Sequence, residues 1–173
     1  LAQFIARFTE VVKMPEVQTH ECDLAEMVES SMVLYRQRCI EHGIRLAWGI
    51  KHEIPAQKID HHLFEQAILN ILKNAIEAVE AAQRQQLEHQ GFVLINLMWD
   101  QVNATVKLSV IDSGKGLQHI PTAQLFTPFF TTKKGGQGIG LMFVREVLNR
   151  HGFTHRLAEN VDGETQFDIV IRT

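Results

Sequence analysis

The stretch FEQAILNILKNAIEAV, residues 64–79, predicts a long amphipathic helix. Its apolar side chains recur at helical spacing along one side, namely Phe64, Ile68, Ile71, Leu72, Ala75 and Val79. The other side carries a polar stripe, formed by Gln66, Asn70, Lys73, Asn74 and Glu77. Asp60 can cap this helix, which we predict over residues 61–88.

Two asparagines, Asn70 and Asn74, lie one turn apart in the middle of this helix. A solvated polar face would explain them, but asparagine costs roughly half a kcal/mol or more relative to alanine in a helix. That cost favours a functional role. Stacked amide oxygens are neutral, hard ligands that suit Mg²⁺, because this ion keeps several waters and also binds phosphate oxygens. The pair is therefore a candidate metal site.

Length and composition indicate one globular domain. The chain has 173 residues and an ordinary hydrophobic fraction of 45%. A net charge of -3 argues against nucleic acid as a partner. Cys22 and Cys39 lack metal or redox spacing, so we expect packing residues in a reducing cytoplasm. No apolar run approaches the roughly 20 residues that span a bilayer. The chain begins in what reads as mid-helix, so we expect a piece of a longer protein.

The remaining pattern predicts a mixed sheet covered by helices on one face. A short amphipathic helix is predicted over residues 1–15, packed either on its own domain or on a partner helix. After a capping box at Asp23–Glu26, another helix ends near Gly43, and a further one runs from Gly138 to Gly152. The side chains that we expect to point inward from the helix after Asp23 are Leu24, Met27, Val28, Leu34 and Tyr35. Strands are predicted over residues 44–50, 92–100, 104–112, 153–159 and 165–171.

Residues 127–141, TPFFTTKKGGQGIGL, combine two phenylalanines, two lysines and four glycines within fifteen positions. The Walker pattern, whose lysine follows the glycines, is absent, and so is the dinucleotide pattern, whose third glycine would fall at Leu141. Gly136, Gly138 and Gly140 lead straight into a predicted helix, so free backbone N–H groups and the helix dipole would meet an anion there. The alternative to phosphate binding is that these glycines form only a flexible connection. A second predicted binding segment is needed to decide between the two.

The segment Asp112-Ser-Gly114-Lys-Gly116 follows a predicted strand. Asp112 shares the parity of the apolar strand residues Val106, Leu108 and Val110, so its carboxylate is expected on the buried face. A buried carboxylate needs donors, and a purine amino group is one such donor. A turn closed by the aspartate side chain is the common alternative.

In this order, Asn-x-x-x-Asn on a helix, Asp-x-Gly-x-Gly after a strand and Gly-x-Gly-x-Gly before a helix resemble the ATP-binding domain of sensor histidine kinases. The wider superfamily includes type II topoisomerases, the Hsp90 chaperones and the MutL mismatch-repair ATPases. The resemblance covers residues 17–173, and LFTPFFTTK (125–133) is similar to the aromatic box of the kinase lid. It implies a Bergerat-type α/β (α+β) two-layer sandwich. In that fold a mixed, mostly antiparallel sheet is covered by about three helices on one face, here with a short N-terminal helix added.

The resemblance also implies bound ATP and Mg²⁺, with the adenine on Asp112 and the metal on Asn74, helped by Asn70. No catalytic base is expected, because positioning by Asn70 and Lys133 carries the transfer. The nucleotide-binding residues that it implies are Asn70, Lys73, Asn74, Asp112, Gly114, Gly116, Thr131, Thr132, Lys133, Gly136, Gly138, Ile139, Gly140 and Leu141.

Residue 70 separates two functions within the superfamily. Hydrolysing members place a glutamate four residues before the metal-binding asparagine, as a base for water, and this chain has Asn70 there. Because an amide cannot accept a proton at neutral pH, the resemblance favours transfer to a histidine over an ATP-hydrolysing conformational machine. The segment Asn74-Ala-Ile-Glu77-Ala is similar to kinases of the nitrogen-regulation sensor type.

None of the nine histidines has the sequence context of a phosphate acceptor, so we expect the acceptor upstream of this chain. Residues 1–16 would then be the end of a dimerisation helix and a linker, and residues 17–173 the catalytic domain. Expected partners are the histidine-bearing dimerisation domain and a response-regulator receiver domain. The isolated domain is expected to be monomeric, and the parent protein a homodimer with this domain in the cytoplasmic part of a membrane-anchored sensor.

Overall fold

The computed structural model describes residues 14–85, 90–115, 117, 120, 124–127 and 138–173. Within them lie three helices, α1 (Leu24–Glu41), α2 (His61–Gln85) and α3 (Gly140–Arg150). The strands there are β1 (His20–Cys22), β2 (Arg45–Lys51), β3 (Gln57–Ile59), β4 (Phe92–Asp100), β5 (Thr105–Asp112), β6 (Thr154–Glu159) and β7 (Thr165–Arg172). None of these helices is long and apolar enough to cross a membrane. The helix predicted over residues 1–15 falls, except for its last two residues, outside the described part of the chain.

Five strands form one sheet in the order β2-β4-β5-β7-β6. β2 runs parallel to β4, and the other neighbouring pairs are antiparallel. The mixed, mostly antiparallel sheet is therefore confirmed. β1 and β3 pair antiparallel as a separate two-stranded sheet. They are absent from the sequence prediction, because three residues are too few to show an alternating pattern.

The core lies between one face of the sheet and the helices. α1 contacts β2, α2 contacts β4 and β5, and α3 contacts β6. The whole predicted apolar side of α2 is buried, together with Ile76. Alternate strand residues point into the same core, namely Val93, Ile95, Leu97, Val106, Leu108, Val110, Phe167, Ile169 and Ile171. Because α2 also contacts both other helices, its position fixes the rest of the helical layer.

In helix α1 the predicted N-terminal cap is confirmed, but one of the residues predicted to point inward is exposed. The backbone N–H of Glu26 donates to Asp23 Oδ1 at 3.0 Å. The prediction that Leu34 points inward is wrong, since 67% of this residue is exposed, while Tyr35 is half-buried. Successive helix residues point about 100° apart, so the stripe that contains Tyr35 leaves Leu34 on its flank. The buried residues of α1 are Leu24, Met27, Val28, Ser31, Met32 and Cys39.

One ion pair ties α1 to α2. Arg38 donates from Nε and Nη2 to the two carboxylate oxygens of Glu80, at 2.7 and 2.9 Å. The side chain of Glu80 is only 8% exposed. The hydrogen bonds from Arg38 hold the pKa of Glu80 below its usual range, so this carboxylate stays charged inside the interface.

We expect Arg38→Met to lower the free energy of unfolding by about 1–3 kcal/mol, because it leaves the Glu80 charge buried without its main partner. The cost stays below that of a fully buried pair since Arg38 is partly exposed. Arg36→Met is the matched control: Arg36 pairs with Glu29 at 3.4 Å on the exposed side of α1. There we expect a change within about 0.5 kcal/mol. Urea unfolding measures both, and equal effects would contradict the prediction.

Candidate functional site

The first half of the candidate site is the polar stripe of α2 beside the start of α3. Asn70 Nδ2 donates to the carbonyl of Gln66 at 2.9 Å, which turns its Oδ1 away from its own helix. A Cβ placed on Gly140 would lie 3.2 Å from that Oδ1, a contact tighter than ordinary packing. The amide oxygen of Asn70 therefore abuts the first residue of α3.

The N-terminus of α3 has no side-chain cap. Its N-cap residue, Ile139, makes no capping hydrogen bond, and Gly138 before it adopts a φ of +65°. The sequence predicts a helix from Gly138, but the left-handed conformation there is incompatible with a right-handed helix, so α3 begins two residues later. The first N–H groups of α3 have no intrahelical partners. With the helix dipole they favour an anion at this end.

Ile139 and Leu141 use their side chains for packing. Ile139 and Met142 form a small buried cluster, against which the half-buried Phe143 packs. Leu141 packs, half-buried, against the main core. The backbone N–H groups of this segment lie at the uncapped start of α3, and the predicted nucleotide contacts of Ile139 and Leu141 stay predictions.

The second half of the candidate site is the end of β5. Asp112 is buried, as its parity predicts, and Oδ1 accepts a hydrogen bond from the N–H of Gly114 at 2.8 Å. Asp112 therefore closes a local turn with one carboxylate oxygen and also lies on the buried face of the sheet, so the two alternatives from the sequence occur together. A Cβ on Gly114 would lie 2.5 Å from the carbonyl carbon of Ala78 and 2.7 Å from the nitrogen of Val79. Only glycine lets the chain after β5 approach α2 this closely.

Thr165 is a candidate site residue that sequence reasoning missed. It opposes Asp112 directly across the β5–β7 ladder. Its hydroxyl is buried and has no hydrogen-bond partner in the part of the chain that the structure describes. Buried polar groups without partners are rare and call for an explanation, such as a ligand or a bound water. Strand parity is the sequence signal that could have found this residue, because Thr165 begins the inward-facing row that continues with Phe167, Ile169 and Ile171.

Two further residues of the predicted site, Asn74 and Lys73, lie on α2. Asn74 is half-buried, one turn after Asn70 on the same side of α2. Lys73 Nζ lies 3.9 Å from Glu77 Oε1, and its side chain is 49% exposed. Its predicted phosphate contact stays a prediction. The predicted residues that fall outside the described part of the chain are Gly116, Thr131, Thr132, Lys133 and Gly136.

The first residues of the predicted aromatic box pack on β6 and β7. Leu125 is buried in the main core. Phe126 meets His155 edge-on at 5.2 Å between ring centroids, and Phe167 at 6.2 Å. His155 Nδ1 is buried without a hydrogen-bond partner among the described residues. Burial, and then the charge of Arg145 on α3, lower the pKa of His155.

A family model described as histidine kinase-, DNA gyrase B-, and HSP90-like ATPase matches residues 59–173. This chain belongs to that family.

Individual relatives narrow the comparison to sensor kinases. The sensor histidine kinase ZraS of Escherichia coli (strain K12) is 30% identical over 158 residues, which are 91% of this chain and 32% of ZraS. The nitrogen regulation protein NtrY of Azorhizobium caulinodans is 28% identical over 152 residues, which are 88% of this chain and 19% of NtrY. The chain thus spans about a third or less of the length of these curated relatives.

Solved structures confirm the fold. The catalytic domain of histidine kinase ThkA is similar with a TM-score of 0.74 at 25% identity, over 90% of this chain and 95% of that domain. Full-length ShkA in complex with AMPPNP gives a TM-score of 0.79 at 23% identity, over 97% of this chain and 34% of ShkA. The resemblance to histidine kinase catalytic domains and the Bergerat-type fold are confirmed. The chain is an ATP-binding catalytic domain of the sensor histidine kinase type.

The partly buried imidazole of His155, packed against Phe126 and Phe167, predicts a pH dependence of the free energy of unfolding. Because the pKa of His155 is lower in the folded protein, the unfolded chain binds a proton that the folded chain excludes once the pH falls below about 6.5. The free energy of unfolding should therefore decrease as the pH falls through that range, by at most about 1.4 kcal/mol per pH unit for this one proton. His155→Leu removes the proton, so its stability curve should be flatter between about pH 7 and 5.5. Urea unfolding measures both curves, and parallel curves would refute the assignment.

Proposed function

We propose that this chain binds ATP with Mg²⁺ and supplies the γ-phosphate to a histidine on an upstream dimerisation domain. The group would then pass to an aspartate of a response regulator. Bound ATP would supply the phosphoryl group, and Mg²⁺ would neutralise charge on its phosphates. The chain's own residues would bind the nucleotide, orient it and exclude water.

The observation that carries the proposal is the close approach of two glycines to one side of α2. Gly140 abuts the amide oxygen of Asn70, and Gly114 abuts Ala78 two turns further along the helix. These two contacts are about 12 Å apart along the helix axis. A long ligand bound on this side of α2 would meet the N-terminus of α3 at one end and Asp112 at the other. A nucleoside triphosphate has the matching shape and charge.

The β5 end supports an adenine site. A buried carboxylate at Asp112 suits the amino group of a purine, because a carboxylate has several lone pairs and can accept a further hydrogen bond beside the one from Gly114. The Thr165 hydroxyl opposite it can donate or accept a hydrogen bond, to the ring or to a water that bridges to it. Gly114 leaves the backbone bare, so a flat ring could lie against it.

The other end supports a phosphate and metal site. The orientation of Asn70 presents an amide oxygen rather than an N–H₂ group towards α3, as a cation ligand requires. Asn74 would supply the main ligand and Asn70 a second. The backbone N–H groups from Gly140 onwards would bind phosphate oxygens, with Lys73 and Lys133 as further cationic groups.

Residue 70 favours phosphoryl transfer over hydrolysis. The amide nitrogen of Asn70 donates to Gln66, and an amide has no basic site that could take a proton from water at neutral pH. An ATP-hydrolysing conformational machine of the same superfamily is the alternative. Phosphate release by the isolated chain separates the two, since turnover on the order of 1 s⁻¹ or faster would favour the hydrolase.

The proposed partners follow from what is known of similar proteins. Histidine kinase ThkA has been solved in complex with the response regulator protein TrrA, and its fold matches this chain with a TM-score of 0.76. We infer a receiver domain as the partner here, and a homodimeric parent protein in which the dimerisation helices precede this domain. We further infer that the domain is the cytoplasmic part of a membrane-anchored sensor.

Asp112→Asn should raise the Kd for ATP by at least about tenfold, equivalent to about 1.4 kcal/mol. The amide offers one acceptor in place of two and brings its own N–H₂ group towards the purine amino group. Asp162→Asn is the matched control, because Asp162 is exposed in the β6–β7 turn, and its Kd should stay unchanged. Isothermal titration calorimetry measures both. An unchanged Kd for Asp112→Asn would remove the adenine role.

Asn74→Ala should abolish the dependence of ATP affinity on Mg²⁺ while leaving the metal-free affinity within about twofold, because it removes one ligand of the cation and no proposed contact to the base. The measurement is a titration with ATP at several Mg²⁺ concentrations. Asn149→Ala, at an exposed position near the end of α3, serves as the control. If Asn74→Ala keeps the Mg²⁺ dependence of the unmodified chain, the metal site lies elsewhere.

A further inference from the structure

The segment where the described chain begins is held firmly in place. We call residues 14–18 the connector. Met14 is buried in the main core, and Val17 packs half-buried against the same core. Pro15 fixes its own φ and restricts Met14 to extended conformations. Two of five connector residues are thus inserted among apolar side chains, and a third stiffens the backbone.

Hydrogen bonds from α3 hold the connector backbone. Arg150 Nη1, in the last turn of α3, donates to the carbonyl of Met14 at 2.8 Å and to that of Pro15 at 3.2 Å. Its Nε donates to Glu146 at 2.6 Å, one turn earlier on the same helix. Glu146 therefore orients the guanidinium, and the guanidinium binds two consecutive carbonyls that lie outside regular secondary structure.

A second contact joins the connector to the start of α2. The N–H of Gln18 donates to Asp60 Oδ2 at 2.9 Å, while Asp60 Oδ1 caps α2 by accepting from Leu63 at 3.1 Å. The N–H of Asp60 in turn donates to His151 Nε2 at 3.0 Å. Burial acts to raise the pKa of Asp60, but the backbone hydrogen bonds from Gln18 and Leu63 lower it. The connector, α2 and α3 therefore meet at one charged, hydrogen-bonded junction.

These contacts are more than a flexible linker needs. Fixing the backbone of one residue costs about 1–2 kcal/mol of conformational entropy, so a five-residue connector stays ordered only if its contacts offset several such terms. Here two apolar insertions and three backbone hydrogen bonds do so. The connector is consequently fixed on the domain, with the carbonyl of Met14 beside the last turn of α3.

Helix α3 joins the connector to the end of the candidate site that we propose for phosphate. Its eleven residues span Gly140, beside Asn70, and Arg150, beside the connector, which places the two ends about 16 Å apart. We propose that Arg150 is a positioning residue for phosphoryl transfer. By holding the connector it sets the direction from which the upstream acceptor histidine approaches the phosphate end of α3. The inference rests on the proposed function, because it needs an acceptor that precedes this chain.

The first test needs no acceptor. In Arg150→Gln the amide of Gln18, which bonds to Asp60 and not to Arg150, should lose hydrogen-exchange protection because the connector is released as a unit. Arg156→Gln is the matched control, since the Arg156 guanidinium makes no hydrogen bond or ion pair within the described part of the chain and lies on β6. Its Gln18 protection should equal that of the unmodified chain. Unchanged protection in Arg150→Gln would overturn the proposal.

The second test compares transfer within the parent protein with transfer to a separate acceptor. In Arg150→Gln, phosphorylation of the parent's own histidine should fall about tenfold, as expected for a misplaced reactant. The Kd for ATP and the phosphorylation of a separately added dimerisation helix pair should both stay within about twofold. Arg150→Lys should recover part of the rate, because one ammonium can still reach a carbonyl but cannot bind two in the same fork. Arg156→Gln should match the unmodified protein throughout.

Each other outcome has a distinct meaning. Equal transfer to the parent's own histidine in Arg150→Gln and the unmodified protein would overturn the positioning role. A loss of both kinds of transfer together with ATP binding would also overturn it, since Arg150 would then serve only the stability of the domain. If the unmodified protein binds ATP but labels no histidine in either assay, the proposed function fails and the positioning role fails with it.

Discussion

The structure depends on how closely two glycine segments approach helix α2. Gly114 brings the chain after β5 onto the main chain of α2, where a Cβ would lie 2.5 Å from Ala78. Gly140 brings the first turn of α3 against the side-chain oxygen of Asn70. A helix backbone cannot yield as a flexible side chain can, so added bulk at Gly114 would cost about 1–3 kcal/mol or displace the β5 end. Segments far apart in sequence are thereby fixed along one side of a single helix.

Several features around that side of α2 are costly for a protein that only has to fold. The carboxylate of Asp112 is buried at the end of a strand, and the Thr165 hydroxyl opposite it lacks a partner among the described residues. α3 begins without a capping side chain. Local rules of stability are commonly broken where a protein binds something. A nucleotide would satisfy both the Thr165 hydroxyl and the uncapped start of α3, because it carries donors and acceptors at its base and negative charge at its other end.

The sequence predicts the elements of this site better than their contacts. Periodicity finds α2 and its polar stripe, and parity places Asp112 inward, because each signal lies within one segment. The β5–β7 register that brings Thr165 to Asp112 joins residues 53 positions apart, and no local pattern encodes it. The connector is missed for the same reason, since the partner of Met14 is Arg150 at the far end of the chain. Leu34 shows the opposite error, in which a regular pattern extends past the surface that α1 buries.

The most direct measurement is a titration of the chain with AMPPNP and Mg²⁺, followed by the backbone amide chemical shifts of the whole domain. If one ligand lies along α2, the largest changes should appear together and with a single Kd at Asn74, Gly114, Gly140 and Thr165. The outer face of the sheet, reported by Lys107 and Arg156, should stay unchanged. Changes at only one of the two ends, or larger changes on the outer face, would contradict a shared site.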